Sequence, residues 1–129
     1  MRRFLQSAYL HLRHPGVLRA LGELERTERL REEEILGLQA ARLKALLSHA
    51  SRHVPYYREA FRRAGVDPAD GAAALRALPI LTKEIIRTSA GSLLSEDASQ
   101  RGAFGNATGG STGEPLRFVQ DRSYEIHRR

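Results

Sequence analysis

Apolar residues recur at helical spacing through most of the chain, and the period changes only near its end. Phe4, Leu5, Ala8, Tyr9 and Leu12 predict a short amphipathic helix at the start. Pro15 follows its end, and residues 16–26 read as a short helix or a turn. Thr27 is the expected N-cap of a long helix running to about His53. Leu36, Leu43, Leu47 and Ala50 fall on one stripe of that helix, with Leu46 beside it. Glu32, Glu33 and Glu34 sit near its start, where the helix dipole favours anions. Such a helix would span roughly 39 Å at about 1.5 Å per residue, and its apolar stripe calls for a partner surface.

Val54-Pro55 breaks the long helix and Pro55 starts another. Tyr56, Tyr57, Ala60, Phe61 and Ala64 give it an apolar side, and Gly65 is a natural residue just past its end. Residues 67–78 read as a capped short helix ending before Pro79. Thr82 caps a helix through about Thr88 with Ile85 and Ile86 inward, and 89–101 is connection.

The texture changes at Gly102, where five of the 11 glycines fall between residues 102 and 113. Ala103 to Thr108 reads as a strand, and Leu116, Phe118 and Gln120 alternate with Arg117 and Val119. Two strands around a Gly/Ser/Thr loop predict a hairpin, after which Asp121 or Ser123 caps a last helix. The expected organisation is a helical lead-in (1–101), a hairpin (102–120) and the start of a helix (121–129). There is no internal repeat.

Composition narrows the function classes. The chain has 129 residues, of which 41% are hydrophobic and 28% charged, which suits a folding chain and not a disordered tail. Cysteine is absent, so disulfides, thiol nucleophiles and cysteine metal sites are excluded. No apolar run approaches the roughly 20 residues a spanning helix needs. Met1-Arg2-Arg3 faintly resembles a twin-arginine signal, but His11, Arg13 and His14 break the apolar stretch. A cytoplasmic location is expected.

The formal charge of +6 lies wholly in the first half. Residues 1–63 carry 13 Lys and Arg against 7 Asp and Glu, whereas residues 64–129 carry 8 of each. A basic half suits nucleic acid, an anionic surface or an acidic partner. The arginines are interleaved with glutamates, which also fits a solvated helix face. A binding module for an acidic partner or nucleic acid is the rival function class, although no RNA-binding aromatic motif or helix-turn-helix signature supports it.

The chemistry concentrates in Asn106-Ala107-Thr108-Gly109-Gly110-Ser111-Thr112-Gly113-Glu114-Pro115. Glycines let a backbone approach a ligand closely, and successive N–H groups in such a turn form an anion-binding nest. Thr108, Ser111 and Thr112 add hydroxyl donors. The loop can therefore hold a polyphosphate without a cation of its own. It is not a Walker A loop, which needs a lysine, and its glycine spacing is wrong for a dinucleotide fingerprint.

Thr-Gly-Gly-Ser-Thr-Gly-Glu-Pro at 108–115 resembles the phosphate loop of adenylate-forming enzymes, the acyl-CoA synthetase superfamily. Three upstream segments narrow the resemblance: His53-Val54-Pro55-Tyr56-Tyr57-Arg58-Glu59, Gly65-Val66-Asp67-Pro68, and Leu78-Pro79-Ile80-Leu81-Thr82-Lys83-Glu84-Ile85-Ile86-Arg87. With Phe61 they are similar to the N-terminal region of phenylacetate-CoA ligase-like proteins, including the CapK type linked to capsular polysaccharide synthesis. The resemblance covers roughly residues 40–121. It implies an α/β family domain, of which this chain would be the mainly helical front with the hairpin and phosphate loop.

The resemblance also implies activation of a carboxylic acid with ATP and Mg²⁺ to an acyl-adenylate, then transfer to coenzyme A. Thr108, Gly109, Gly110, Ser111, Thr112 and Gly113 would bind the nucleotide phosphates. Thr108, Ser111 and Thr112 would act through hydroxyls, and Gly110 and Gly113 through close approach. The chain departs from many superfamily members in having Leu116 after the proline, where a cation is common, and Gly109 where Ser or Thr is commoner. Family chains run several hundred residues, and the catalytic lysine and the adenine, Mg²⁺ and acyl sites lie after the loop. Met1 reads as a true start, so the missing part is expected on the C-terminal side. No catalytic residue is assigned within this chain, and the 129 residues alone are expected not to catalyse adenylation.

Among other candidates, His49 and His53 have zinc-ligand spacing on one helix face. Ala50 stands where a metalloprotease motif has Glu, and no third ligand is evident, so no metal site is assigned. Tyr56 and Tyr57 read as packing residues. Asp67 and Asp70 read as caps and turn formers, and Lys83 as a solvent contact in a first helical turn.

Overall fold

The computed structural model describes residues 15–109 and 115–121. The predicted helix over the first dozen residues, the predicted last helix, and Gly110, Ser111, Thr112 and Gly113 lie outside the described residues. What is described is mainly helical and carries one two-stranded antiparallel hairpin.

Helix α1 (Pro15–Thr27) has proline in its first position, where the missing N–H is no loss. Helix α2 (Glu32–His53) starts four residues later than Thr27 predicts. The Thr27 hydroxyl instead donates to the Leu24 carbonyl at 2.8 Å, inside the last turn of α1. Arg31 takes the cap position, and the Glu34 carboxylate accepts its backbone N–H at 2.9 Å. Three glutamates in the first turn of α2 complement the dipole as expected. The helix is therefore shorter than predicted, and it still ends at His53.

The punctuation after His53 follows the sequence closely. Pro55 opens α3 (Pro55–Ala64), and Gly65 closes it in the left-handed conformation at φ 63°. The Asp67 carboxylate accepts from Ala69 N at 2.8 Å and caps a 3-10 turn at Pro68–Asp70. The single helix expected over 67–78 is thus split in two, and α4 (Ala72–Ala77) follows Gly71. Gly71 sits at φ 60° and ψ −114°, a conformation that costs any side-chain-bearing residue about 1–3 kcal/mol. The Thr82 hydroxyl accepts from Ile85 N at 3.2 Å and caps α5 (Lys83–Thr88). One further helical turn, α6 (Ala90–Leu93), falls in the segment predicted as connection.

The core lies where α2, α3 and α4 meet. Leu47, Phe61 and Ala74 are buried, with Leu43, Tyr57, Val66 and Leu78 packed around them. Leu43 and Leu47 come from the predicted stripe. Leu36 of the same stripe is 56% exposed, and the neighbouring Leu46 is 62% exposed. Ile80, between α4 and α5, is 86% exposed. The described helices therefore leave much apolar surface in contact with water.

Gly71→Ala tests the split between the 3-10 turn and α4. An added Cβ would meet Lys44 Cγ at 3.5 Å, which is ordinary contact, so the cost is backbone strain alone. The expected loss is about 1–3 kcal/mol, read from the urea midpoint at unchanged m-value. A midpoint equal to the parent's would show that the turn relaxes freely.

Candidate functional site

The hairpin that bears the loop is built from β1 (Phe104–Ala107) and β2 (Arg117–Gln120). Phe104 pairs with Gln120, Gly105 with Val119, Asn106 with Phe118 and Ala107 with Arg117. The alternation places Phe104, Asn106, Phe118 and Gln120 on one face. Asn106, Phe118 and Gln120 are half-buried, while Gly105, Ala107, Arg117 and Val119 on the other face are exposed. The Asn106 side chain ties the inner face together: its Nδ2 donates to Gln120 Oε1 at 2.7 Å, and its Oδ1 accepts from Ala107 N at 2.8 Å.

Thr108 closes the mouth of the loop. Its N–H donates to the Leu116 carbonyl at 3.0 Å, and its Oγ1 accepts from Leu116 N at 3.0 Å. The hydroxyl oxygen is thereby engaged in the hairpin as an acceptor, a role that leaves its proton able to donate. Of the predicted phosphate contacts, the structure describes Thr108 and Gly109. Both are exposed at the loop entrance. A Cβ at Gly109 would meet nothing within 4 Å, so no neighbour among the described residues demands glycine there.

The base of the hairpin is locked to the helices mainly through Ser95, Asp97 and Arg101, which no sequence motif marks. Gly102, at φ 62°, turns the chain into β1, and Ala103 N donates to the Ala98 carbonyl at 3.1 Å. Arg101 reaches both ways: Nε donates to Asp97 Oδ2 at 2.9 Å and Nη1 to Asp121 Oδ2 at 3.1 Å. Asp121, read as a helix cap, thus accepts from Arg101 Nη1 immediately after β2. Ser95 donates to Asp97 Oδ1 and lies 3.3 Å from His49 Nε2. The Ser95 hydroxyl, and then Arg101, hold the Asp97 carboxyl below the usual carboxylate range. The i,i+4 spacing of Asp97 and Arg101 signals their pairing. No local signal joins Asp97 to His49.

Between the hairpin and the helices lies an open cleft of about 1030 Å³. Tyr57, Ile86, Leu93, Arg101 and Phe118 contribute to its walls, and Pro115 brings the end of the loop to it. Tyr57 packs edge-on against Tyr56 with ring centroids 5.4 Å apart, and burial pushes its phenol pKa up. Tyr57 also packs against the core, where packing was expected for it. Lys83 is exposed, also as predicted.

Among the described residues, part of the basic half is held in ion pairs. Arg19 meets Glu23, Arg31 meets Glu34, Arg62 and Arg63 share Glu59, and Arg58 grips Glu96 at 2.7 Å. The two arginines hold the Glu59 carboxyl down to about 2. Among the described residues, no helix is long and apolar enough to cross a membrane.

Thr108 offers a direct test of hairpin closure. Thr108→Val keeps the shape and removes the acceptor for Leu116 N. The loss of about 0.5–1.5 kcal/mol should speed hydrogen exchange at the Leu116 amide by up to about tenfold. Thr108→Ser should exchange at the parent rate. Equal rates in all three would show that the hydroxyl does not hold the hairpin.

No family model matches the chain. Over 96 residues it is 34% identical to a phenylacetate-coenzyme A ligase of Aromatoleum evansii. The match takes in 73% of this chain and 22% of that protein, so the chain spans about a fifth of the length of the curated relative it matches. The residues that carried the resemblance prove to be largely the punctuation of the fold, with Pro55 opening α3, Gly65 closing it, Asp67 capping the 3-10 turn and Thr82 capping α5. The chain is thus related in sequence to a coenzyme A ligase.

Proposed function

We propose that this chain is the leading segment of an ATP-dependent, carboxylate-activating ligase. In this reading the loop at 108–115 holds the β- and γ-phosphates of ATP. Mg²⁺-ATP supplies the adenylyl group and the departing pyrophosphate, and a carboxylic acid and coenzyme A are the other substrates. The hydroxyls of Thr108, Ser111 and Thr112 and the loop N–H groups would donate to the charge on that pyrophosphate. The observation that carries the reading is the hairpin mouth. Thr108 Oγ1 accepts from Leu116 N, which leaves its hydroxyl proton able to donate at the entrance of the loop. The segments 53–59, 65–68 and 78–87 favour the phenylacetate-CoA ligase-like, CapK-type branch. An enzyme using these substrates would work in the cytoplasm.

The rival reading is an Arg-rich module for an acidic partner or nucleic acid. Pairing of Arg19, Arg31, Arg58, Arg62 and Arg63 with glutamates counts against it. Hydrogen exchange separates the two. Mg²⁺-ATP should protect the amides flanking 108–116 in this chain, while carboxylate-dependent pyrophosphate exchange stays at background. Salt-sensitive DNA binding with no ATP protection would favour the module. Exchange catalysed by the 129 residues alone would overturn the assignment of the chain as an incomplete catalytic unit.

A further inference from the structure

The last turn of α2 and the segment after α6 bring together a donor set that has no part in the phosphate loop. His49 and His53 project from one face with their rings stacked, centroids 4.7 Å apart and planes at 26°. Asp97 arrives from 44 residues further along and presents Oδ1 to His49 Nε2 at 3.8 Å. One donor atom from each of the three lies within 4.8 Å of the others. Their approach is fixed by the main chain, because Glu96 N donates to the His53 carbonyl at 2.8 Å. We propose that His49, His53 and Asp97 form a binding site for a divalent transition-metal ion.

The chemistry of the donors selects the class of ion. Two imidazoles and one carboxylate suit Zn²⁺, Co²⁺ or Ni²⁺, whereas Mg²⁺ and Ca²⁺ prefer all-oxygen sets. Zinc–nitrogen and zinc–oxygen bonds of about 2.0–2.2 Å place tetrahedral donors roughly 3.3 Å apart. The present spacings are wider, and closing them asks about 1 Å or less of each donor, within the reach of small torsional adjustments. The Ser95 hydroxyl marks the focus of the site, since it donates to Asp97 Oδ1 and lies 3.3 Å from His49 Nε2. Metal binding would replace that hydroxyl at the two donors or recruit it as a fourth. Arg101 orients the carboxylate through Oδ2 and leaves Oδ1 facing the imidazoles, as outer partners commonly do at metal centres.

The site lies at the base of the hairpin, the opposite end from the loop. Its neighbours define what occupancy does. Asp97 is joined through Arg101 to Asp121, directly after β2. An ion held by α2 and Asp97 would therefore clamp the helical body to the hairpin base.

The test is a Co²⁺ titration of the EDTA-stripped chain, read from d–d absorption. The expected result is saturable binding of one ion per chain. His49→Gln, His53→Gln and Asp97→Asn should each weaken it by about tenfold or more, taking the effect of outer partners as a lower bound. A variant carrying His11→Gln, His14→Gln and His127→Gln should bind as the parent does. Paramagnetic shifts on the His49 and His53 ring protons of the unsubstituted chain give a readout that no variant's folding can confuse. Absence of saturable binding overturns the proposal. So does binding that survives in the ligand variants or disappears in the variant lacking His11, His14 and His127, and so do ring protons left unshifted.

Discussion

Phe61→Ala is expected to remove about 3–5 kcal/mol of folding stability, comparable to all that a small domain has. Phe61 is 5% exposed and sits where α3 meets α2 and α4. Its ring shares that volume with Leu47 and Ala74, and Leu43, Tyr57, Val66 and Leu78 close the sides. Truncation leaves a cavity bounded by three separate elements. The short helices cannot persist alone, because α4 and α5 have six residues each and isolated helices under about 12–15 residues are marginal. The measurement is urea unfolding followed by far-UV circular dichroism. Phe61→Leu, a milder change in volume, should lose less than Phe61→Ala. If Phe61→Ala unfolds within about 1 kcal/mol of the parent, below the usual range for such truncations, the three-helix core is not what holds the fold.

That core was legible only in part, and the reason is physical. Chain punctuation is local, so Pro55, Gly65, Asp67 and Thr82 could each be read from a few neighbours, and each does what its type predicts. The start of α2 was misplaced because two cap signals compete over five residues. Thr27 has the better side chain, yet the Glu34 carboxylate at the third helical position settles the start at Arg31. Periodicity drew one stripe through Leu36, Leu43 and Leu47 but could not say how far the covering surface extends. The structure covers Leu43 and Leu47 and leaves Leu36 in water. Gly71 was absorbed into one predicted helix, although a glycine between Asp70 and a run of alanines is a signal for a break.

The site divides along the same line. The hairpin register follows from alternation, which is local, and it brings Thr108 opposite Leu116 as the flanking strands require. The bracing of its base is non-local. Ser95 and Asp97 meet His49 across more than 40 residues, and Arg101 meets Asp121 across 20. No periodicity reports such contacts. The i,i+4 histidine pair was visible on its own, and its third donor became visible only once the chain was folded.

Replacing Ser111 and Thr112 together by alanine is expected to lower adenylation by about 10²–10³-fold, the usual effect of removing preorganised donors from developing negative charge. The expectation rests on the proposed function. In that reading the pyrophosphate gains charge as the acyl-adenylate forms, so donors aimed at it act more strongly on the transition state than on bound ATP. Neither hydroxyl can be replaced by a loop cation, because residues 108–116 contain no Lys or Arg. The measurement is carboxylate-dependent pyrophosphate exchange in the ligase that bears this segment. ATP protection of the hairpin amides in the present chain should also demand a higher nucleotide concentration. A fall in kcat with KM for ATP little changed places the hydroxyls on the departing phosphates. A rise in KM alone would reduce the loop to a ground-state grip, and the catalytic stabilisation would then have to come from elsewhere in the ligase.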